Sequence, residues 1–296
     1  MENILEVTHL TKRFGSLVAV DDVSFSVAPG EVLGLVGQNG AGKSTTFKMI
    51  LKFLRPDTGT ILTAGQPITT EFFDQLGYLP EERGLYLDMT IQDQVEYFAH
   101  LHGCKPAVTA RRLPEWLERL AVKGDAKTKV KDLSKGNQQK VQLITALIHQ
   151  PRLVILDEPF SGLDPVNVQL LIKVVLELKE QGTAIIFSSH NMKNVTAVSD
   201  KLLMLVNGRC RLYGSIAAIR NRYERKELYL EGVNGNDYPG VIARRNDGLG
   251  EVLTFDSQEH AEAAIAMVRN DERLQGFRLL EPTLDDIFAW EVKADE

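Results

Sequence analysis

Residues 37–44 read GQNGAGKS, which fits the glycine-rich spacing G-x-x-x-x-G-K-[ST]. Gly37, Gly40 and Gly42 let backbone N–H groups close around a phosphate chain, and the start of a following helix adds favourable partial charge. Lys43 can reach the terminal phosphates, and Ser44 can offer its hydroxyl to magnesium. With Gln38, Asn39, Ala41 and Thr45 completing the loop, the whole run is expected to bind a nucleoside triphosphate. A second run, LVILDEP at 153–159, ends an apolar stretch on two acids. Asp157 there can hold magnesium through water, and Glu158 can act as the base that orients and polarises an attacking water. Two acids at a strand end are ordinarily a strand-to-loop transition. With a phosphate loop upstream, the catalytic reading prevails.

Those groups need rigid supports. Val32–Val36 reads as a buried strand delivering the loop, preceded by Val23, Phe25 and Val27 alternating with Ser24 and Ser26 before a Pro29-Gly30 turn. After Gly37 the period changes: Phe47, Ile50, Leu51 and Leu54 mark one face of a helix from Lys43, expected to stop at Pro56. A Thr90-x-x-Asp93 cap opens a helix to His102, a helical pattern broken at Pro114 runs towards Ala121, and another helix covers Lys135–His149. Lys123, Lys127, Lys129 and Lys131 between them suit a solvated loop. Leu153–Leu156 and Ala184–Phe187 are continuous apolar runs of the kind found in parallel sheets buried on both faces. The helix between them opens at Asp164-Pro165, closes at Gly182 and is striped by Val168, Leu171, Ile172 and Val175. Strand, crossover helix, strand is an α/β pattern. Asn207-Gly208 signals a hairpin joining Leu202–Val206 to Arg209–Tyr213. Beyond Arg225 come a strand at Leu228–Leu230, a hairpin around Asp247-Gly248, a helix over Gln258–Arg269, a strand at Phe277–Leu280 and a last helix from Thr283 with Leu284, Ile287, Phe288 and Val292 on one face. The expected domains are 1–225 and a small α+β domain over 226–296.

Further motifs follow in a telling order. Phe14 precedes the phosphate loop, GYLPEERGLY occupies 77–86, LSKGN occupies 133–137, SGLD occupies 161–164, and His190 ends FSSH. Over residues 2–225 the chain thus resembles the ATP-binding subunits of ATP-binding-cassette (ABC) transporters. The resemblance implies a P-loop ABC ATPase domain with a parallel core sheet, an antiparallel β subdomain and a helical subdomain at about 90–150. It implies ATP and Mg²⁺ as cofactors, with Phe14 stacking on adenine, Glu81 in the Q-loop position, and Ser44, Asp157 and Glu81 as magnesium ligands. His190 is the switch histidine at the γ-phosphate and Asp164 belongs to the D-loop. Ser134, Lys135, Gly136 and Asn137 form the signature that faces the ATP of a partner subunit. The implied partners are a second ATP-binding subunit, a homodimer being expected, and integral membrane permease subunits that hold the protein on the inner face of the cell membrane.

The residues themselves add to this. Ser134 is a good helix cap, and the free N–H groups behind it make a second anion site. Glu81 stands where the family has glutamine, so it can accept a hydrogen bond or bind magnesium but cannot donate as an amide does. Lys135 replaces a signature glycine and favours a bound γ-phosphate, while the shorter Asn137, in place of glutamine, is expected to miss a family contact. GYLPEERGLY, LSKGN and a tail ending in EPTLDDIF look most like subunits of sodium-efflux and drug-efflux exporters.

At 296 residues, a large domain plus a small one is expected, and 44% apolar with 25% charged residues is globular composition. Lys plus Arg is 34 against 40 for Asp plus Glu, and a net charge of -6 argues against nucleic acid as a ligand. Cys104 and Cys210 lie in no metal or redox spacing and read as free thiols in a reducing compartment. No apolar run reaches the roughly 20 residues that span a bilayer, and MENILEV is no leader, so a cytoplasmic protein anchored by others is expected. The main alternative, a cassette ATPase working on ribosomes or nucleic acid, usually carries two cassettes or a long coiled-coil insert, and this chain shows neither. A P-loop kinase has no use for LSKGN.

Overall fold

In the computed structural model, which describes residues 2–82, 84–224, 226–233 and 237–294, the continuous apolar runs become the inner strands of a sheet. The first unit, Met1–Ser215, begins with a long hairpin, β1 (Leu5–Phe14) and β2 (Leu17–Val27), followed by β3 (Val32–Val36) and α1 (Lys43–Ile50). Next come β4 (Thr58–Thr63), β5 (Gln66–Pro67), the short α2 (Thr70–Phe73) and β6 (Leu76–Leu79). Three helices follow, α3 (Ile91–Leu101), α4 (Pro106–Arg119) and α5 (Lys135–Leu147). The unit closes with β7 (Leu153–Leu156), α6 (Pro165–Glu180), β8 (Ala184–Ser189), α7 (Met192–Val198) and the hairpin β9 (Lys201–Val206) to β10 (Arg209–Ser215).

Among the described residues the ten strands form one sheet in the order β5-β4-β1-β2-β10-β9-β3-β8-β7-β6. Its half from β9 to β6 is parallel, and β1, β2, β4 and β5 form an antiparallel wing. Every residue of β3 and β7 is buried, as both faces of a parallel sheet require. Because β3, β7 and β8 run parallel, their carboxyl ends share one edge of the sheet. The segments after them therefore meet there. The core beneath includes Phe47, Ile50, Leu33 and Ile186, each fully buried and contributing about 1.5–3 kcal/mol relative to exposure.

Three sequence expectations shift. α1 ends at Ile50 rather than near Pro56, because Lys52 turns left-handed at φ 57 and its N–H bonds back to Met49. α4 runs unbroken through Pro114, since Leu113 and Trp116 bury its inner face and Arg119 ion-pairs with Glu177. The buried face of α6 is Leu171, Val174, Val175 and Leu178, so Val168 and Ile172 of the expected stripe are only half-buried. The Asn207-Gly208 turn forms as expected, with both residues at positive φ.

The second unit, Ile216–Glu296, starts at α8 (Ile216–Arg220) and carries β11 (Glu227–Glu231), β12 (Val241–Asp247), β13 (Gly250–Phe255), α9 (Gln258–Val268), β14 (Gly276–Leu280) and α10 (Leu284–Lys293). Its antiparallel sheet has the order β12-β13-β11-β14. α9 covers the face bearing Leu228, Leu230, Leu253 and Phe255 with Ala261, Ala264 and Val268. The contacts divide the chain after Ser215, ahead of the expected boundary at Arg225, a residue outside those described. The reason is visible at Tyr223, whose hydroxyl donates to Glu291 and whose ring packs on Trp290. α10 opens with a full capping box, Thr283 and Asp286 each satisfying the other's backbone N–H.

Candidate functional site

The turn after β3 places Gly42 at φ 101 as the cap of α1, and a Cβ there would lie 2.4 Å from the Ala19 carbonyl oxygen. Only glycine fits that approach, so the loop is pressed against β2 at Ala19. Lys43 is buried, its ammonium donating to the carbonyls of Gly37 (2.8 Å) and Gln38 (3.2 Å). Ala41 is buried beneath the loop.

A cleft of about 360 Å³ gathers Asn39, Gly40, Gly42, Lys43, Ser44 and Thr45 with Glu81, Asp157 and Glu158. Loop, both acids and Glu81 thus line one cleft. They are brought together from positions far apart in the chain by the parallel register of β3, β8, β7 and β6.

β8 supplies a residue that sequence reasoning left without a role. The fully buried hydroxyl of Ser188 donates to Asp157 Oδ1 at 2.6 Å and accepts from the Glu158 N–H at 2.7 Å. Glu158 itself sits at φ 49, a strained backbone for a non-glycine residue, and Ser188 holds it there. The signal lay in FSSH, whose serines continue an apolar run into a fully buried stretch. His190 Nδ1 lies 3.1 Å from both carboxylate oxygens of Glu158. Beside the acids, burial and the charges of Asp157 and Glu81 push the Tyr78 phenol up to about 12, so it stays neutral.

Two glutamines of α5 were equally unread. Gln139 donates to the Pro159 carbonyl at 2.8 Å and Gln142 to the Glu82 carbonyl at 3.2 Å, tying this helix to the segments carrying Glu158 and Glu81.

The remaining motif residues lie outside the cleft. Phe14 is about half exposed at the end of β1, with the Lys12 ammonium 5.7 Å from its ring centroid. Ser134 caps α5, accepting from the Asn137 N–H at 3.4 Å. Ser134 and Lys135 are exposed and Gly136 is half-buried. Asn137 instead turns inward, 8% exposed, donating to Ser134 Oγ and accepting from the Lys123 N–H. Of the four signature residues it is therefore the one not presented at the surface. Asp164 caps α6, and the N–H of Asn167 bonded to it holds its carboxyl below the usual range.

Residues 20–161 match the family model described as ABC transporter. The chain is 39% identical over 98% of its length, and 99% of the relative's, to the ABC transporter ATP-binding protein YhaQ of Bacillus subtilis. It is 30% identical to the Nod factor export ATP-binding protein I of Sinorhizobium fredii, over 96% of this chain and 84% of that one. A solved ATP-binding subunit of an ABC transporter superposes with a TM-score of 0.70 at 34% identity, covering 74% of this chain and 92% of that chain. With the glycine-lysine loop, the paired acids and His190 converging on one sheet edge, the chain belongs to the ABC transporter ATP-binding proteins, as an ATP-binding and ATP-hydrolysing subunit.

Proposed function

We propose that two copies of the chain close head-to-tail around ATP and drive membrane permease subunits that export a small solute. One observation carries the two-copy reading. Ser134 and Lys135 are exposed at the start of α5 and take no part in the cleft that holds Lys43, Asp157 and Glu158. Each chain then holds half of two sites, and a second copy supplies a further anion-binding helix start opposite the one at α1. Asp164, at the start of α6, belongs to the same contact.

Within one site, Lys43 leaves the carbonyls of Gly37 and Gln38 for the terminal phosphates, and the loop N–H groups hold the chain of phosphates. Phe14 stacks on the adenine. Ser44, Asp157 and Glu81 present hard oxygen donors in one cleft, which fits Mg²⁺. When bound, that ion neutralises charge on the β- and γ-phosphates. Glu158, its backbone held by Ser188 and its carboxylate by His190, accepts the proton of the attacking water.

Among the described residues no helix is long and apolar enough to cross a membrane, so a place at the inner membrane face depends on a partner. An apolar cavity of about 270 Å³ near the Glu81 segment, lined by Phe53, Phe73, Tyr78, Leu85 and Phe98, suits a segment of such a permease. The Nod factor export relative supports export as the direction. The matched proteins are transporter subunits, and none of these features favours ribosomes or nucleic acid.

The test mixes two inactive chains. Ser134→Arg blocks the surface offered to a partner, and Lys43→Ala disables a chain's own loop. In a mixed head-to-tail dimer one site carries both lesions and the other neither. Each parent is expected to be inactive and the mixture to regain ATPase activity. An inactive mixture despite demonstrated heterodimers sinks the shared-site reading. Co-purification of an integral membrane protein with the tagged chain tests the permease.

A further inference from the structure

A cleft of about 760 Å³ in the first unit is lined by four arginines and one acid, Glu115, within a chain of net charge -6. Arg111, Arg112 and Arg119 come from α4, and Arg152 stands immediately before β7. Gly182 and Thr183, which precede β8, also line it. The cleft therefore opens at the amino ends of β7 and β8, whereas Asp157 and His190 follow their carboxyl ends. It is a different site from the phosphate cleft, across the sheet from it.

Two of the guanidinium groups are fixed. Arg112 donates to the Ile148 carbonyl at 2.9 Å and to Gln150 Oε1 at 2.5 Å, and so caps the end of α5. Arg119 pairs with Glu177 and lies 4.6 Å over the Trp116 ring. Helix capping and ion pairing account for these two. Arg111 and Arg152 are exposed, and among the described residues no side-chain hydrogen bond or ion pair engages their guanidinium groups. One lining acid, Glu115, does not balance the arginines, so positive charge is in excess in the cleft and a bound anion relieves the repulsion. Guanidinium forks match phosphate oxygens in pairs, and the volume exceeds what a single orthophosphate fills. Trp116 is 8% exposed with Arg119 over its ring, so no open aromatic face is offered to a nucleobase. Recognition here falls on the charged phosphates themselves.

We propose that the Arg111–Arg112–Arg119–Arg152 cleft binds a multiply charged phosphate anion, a linear oligophosphate, at a site separate from the ATP loop.

The probe is sodium tripolyphosphate, titrated calorimetrically at low ionic strength into the full chain carrying Lys43→Ala, which weakens the attraction of the ATP loop by removing its ammonium. Saturable binding is expected. Adding Arg111→Ala and Arg152→Ala is expected to weaken it by about tenfold or more, since each lost phosphate contact is charge-assisted. Adding instead Lys123→Ala and Lys127→Ala, exposed lysines away from the cleft, removes the same charge and is expected to change affinity by less than about threefold. Equal melting temperatures across the variants show that folding is intact; Arg111 and Arg152 are chosen because they hold nothing else. The proposal is overturned if tripolyphosphate does not bind the Lys43→Ala chain, if the arginine pair leaves its affinity unchanged, or if the lysine pair weakens it as much.

Discussion

Replacing one oxygen of the Glu158 carboxylate by nitrogen removes its ability to take a proton while keeping its shape and its hydrogen-bonding reach. Glu158→Gln is therefore expected to bind ATP normally and to lose about 10²–10⁴ in turnover, measured as phosphate release at saturating ATP. Retention of half the rate would remove Glu158 from the role of base. Ser188 gives a companion test. Its hydroxyl serves the Asp157 carboxylate and the Glu158 N–H together, so Ser188→Ala leaves one buried acceptor and one donor unpaired. That costs about 1–3 kcal/mol of stability. Because Glu158 loses the bond that holds its strained backbone, turnover is expected to fall by about 10- to 100-fold with ATP affinity little changed. A variant with normal turnover and a lowered melting temperature would mark Ser188 as structural only.

At the scale of elements, α5 is the strut that joins the segments around the cleft. It is capped by Ser134, bonded through Gln139 and Gln142, and followed two residues past its end at Leu147 by the half-buried imidazole of His149. His149 bonds the Leu76 carbonyl through Nε2 and stacks on His102 with ring centroids 4.1 Å apart. Desolvation, then the neighbouring His102 charge, push its pKa down to about 4, with a lesser push from Arg112 and against the opposing bond to the Leu76 carbonyl. The unfolded chain binds a proton at His149 near pH 6.5, whereas the folded chain does so only near 4. Protons therefore favour unfolding in that window: the stabilisation is full above about pH 6.5 and is lost as pH falls towards 4. His149→Phe, which keeps an aromatic ring against His102 and cannot titrate, is expected to lose less stability on acidification. The difference is about 2 kcal/mol between pH 7 and 5, read from denaturant melts at the two pH values. Parallel losses in both proteins would show that His149 does not contribute.

For the molecule as a whole, the residues lining the cleft of Lys43, Asp157 and Glu158 lie in the first unit, and the second has its own sheet and core around Leu230 and Phe255. A chain ending at Ser215 is expected to bind ATP with unchanged affinity, measured by calorimetry. A chain ending at Glu224 keeps Ile216–Glu224 but strips Tyr223 of Trp290 and Glu291, and is expected to be less soluble. Loss of ATP binding in the shorter chain would mean that the second unit supports the site directly.

Much of the site was written locally. The glycine-lysine loop, the acids after LVIL and the caps at Thr90, Ser134 and Asp164 depend on neighbours within a few residues, so their types and spacing declare them. What spacing could not declare was settled by register. Ser188 meets Asp157 because β7 and β8 lie side by side in parallel, and Asn137 turns inward to accept the N–H of Lys123, which precedes α5 in a loop beyond the reach of local capping. α4 passes through Pro114 because burial of Leu113 and Trp116, together with the Arg119–Glu177 pair, holds a helix that local propensity alone would break. The second unit claims Ile216–Glu224 for a similar reason, a contact between Tyr223 and α10 that no nearby residue foreshadows. Local backbone preference and short-range capping can be read along one stretch of chain. Contacts between distant stretches exist only once the sheet has set which strands are neighbours.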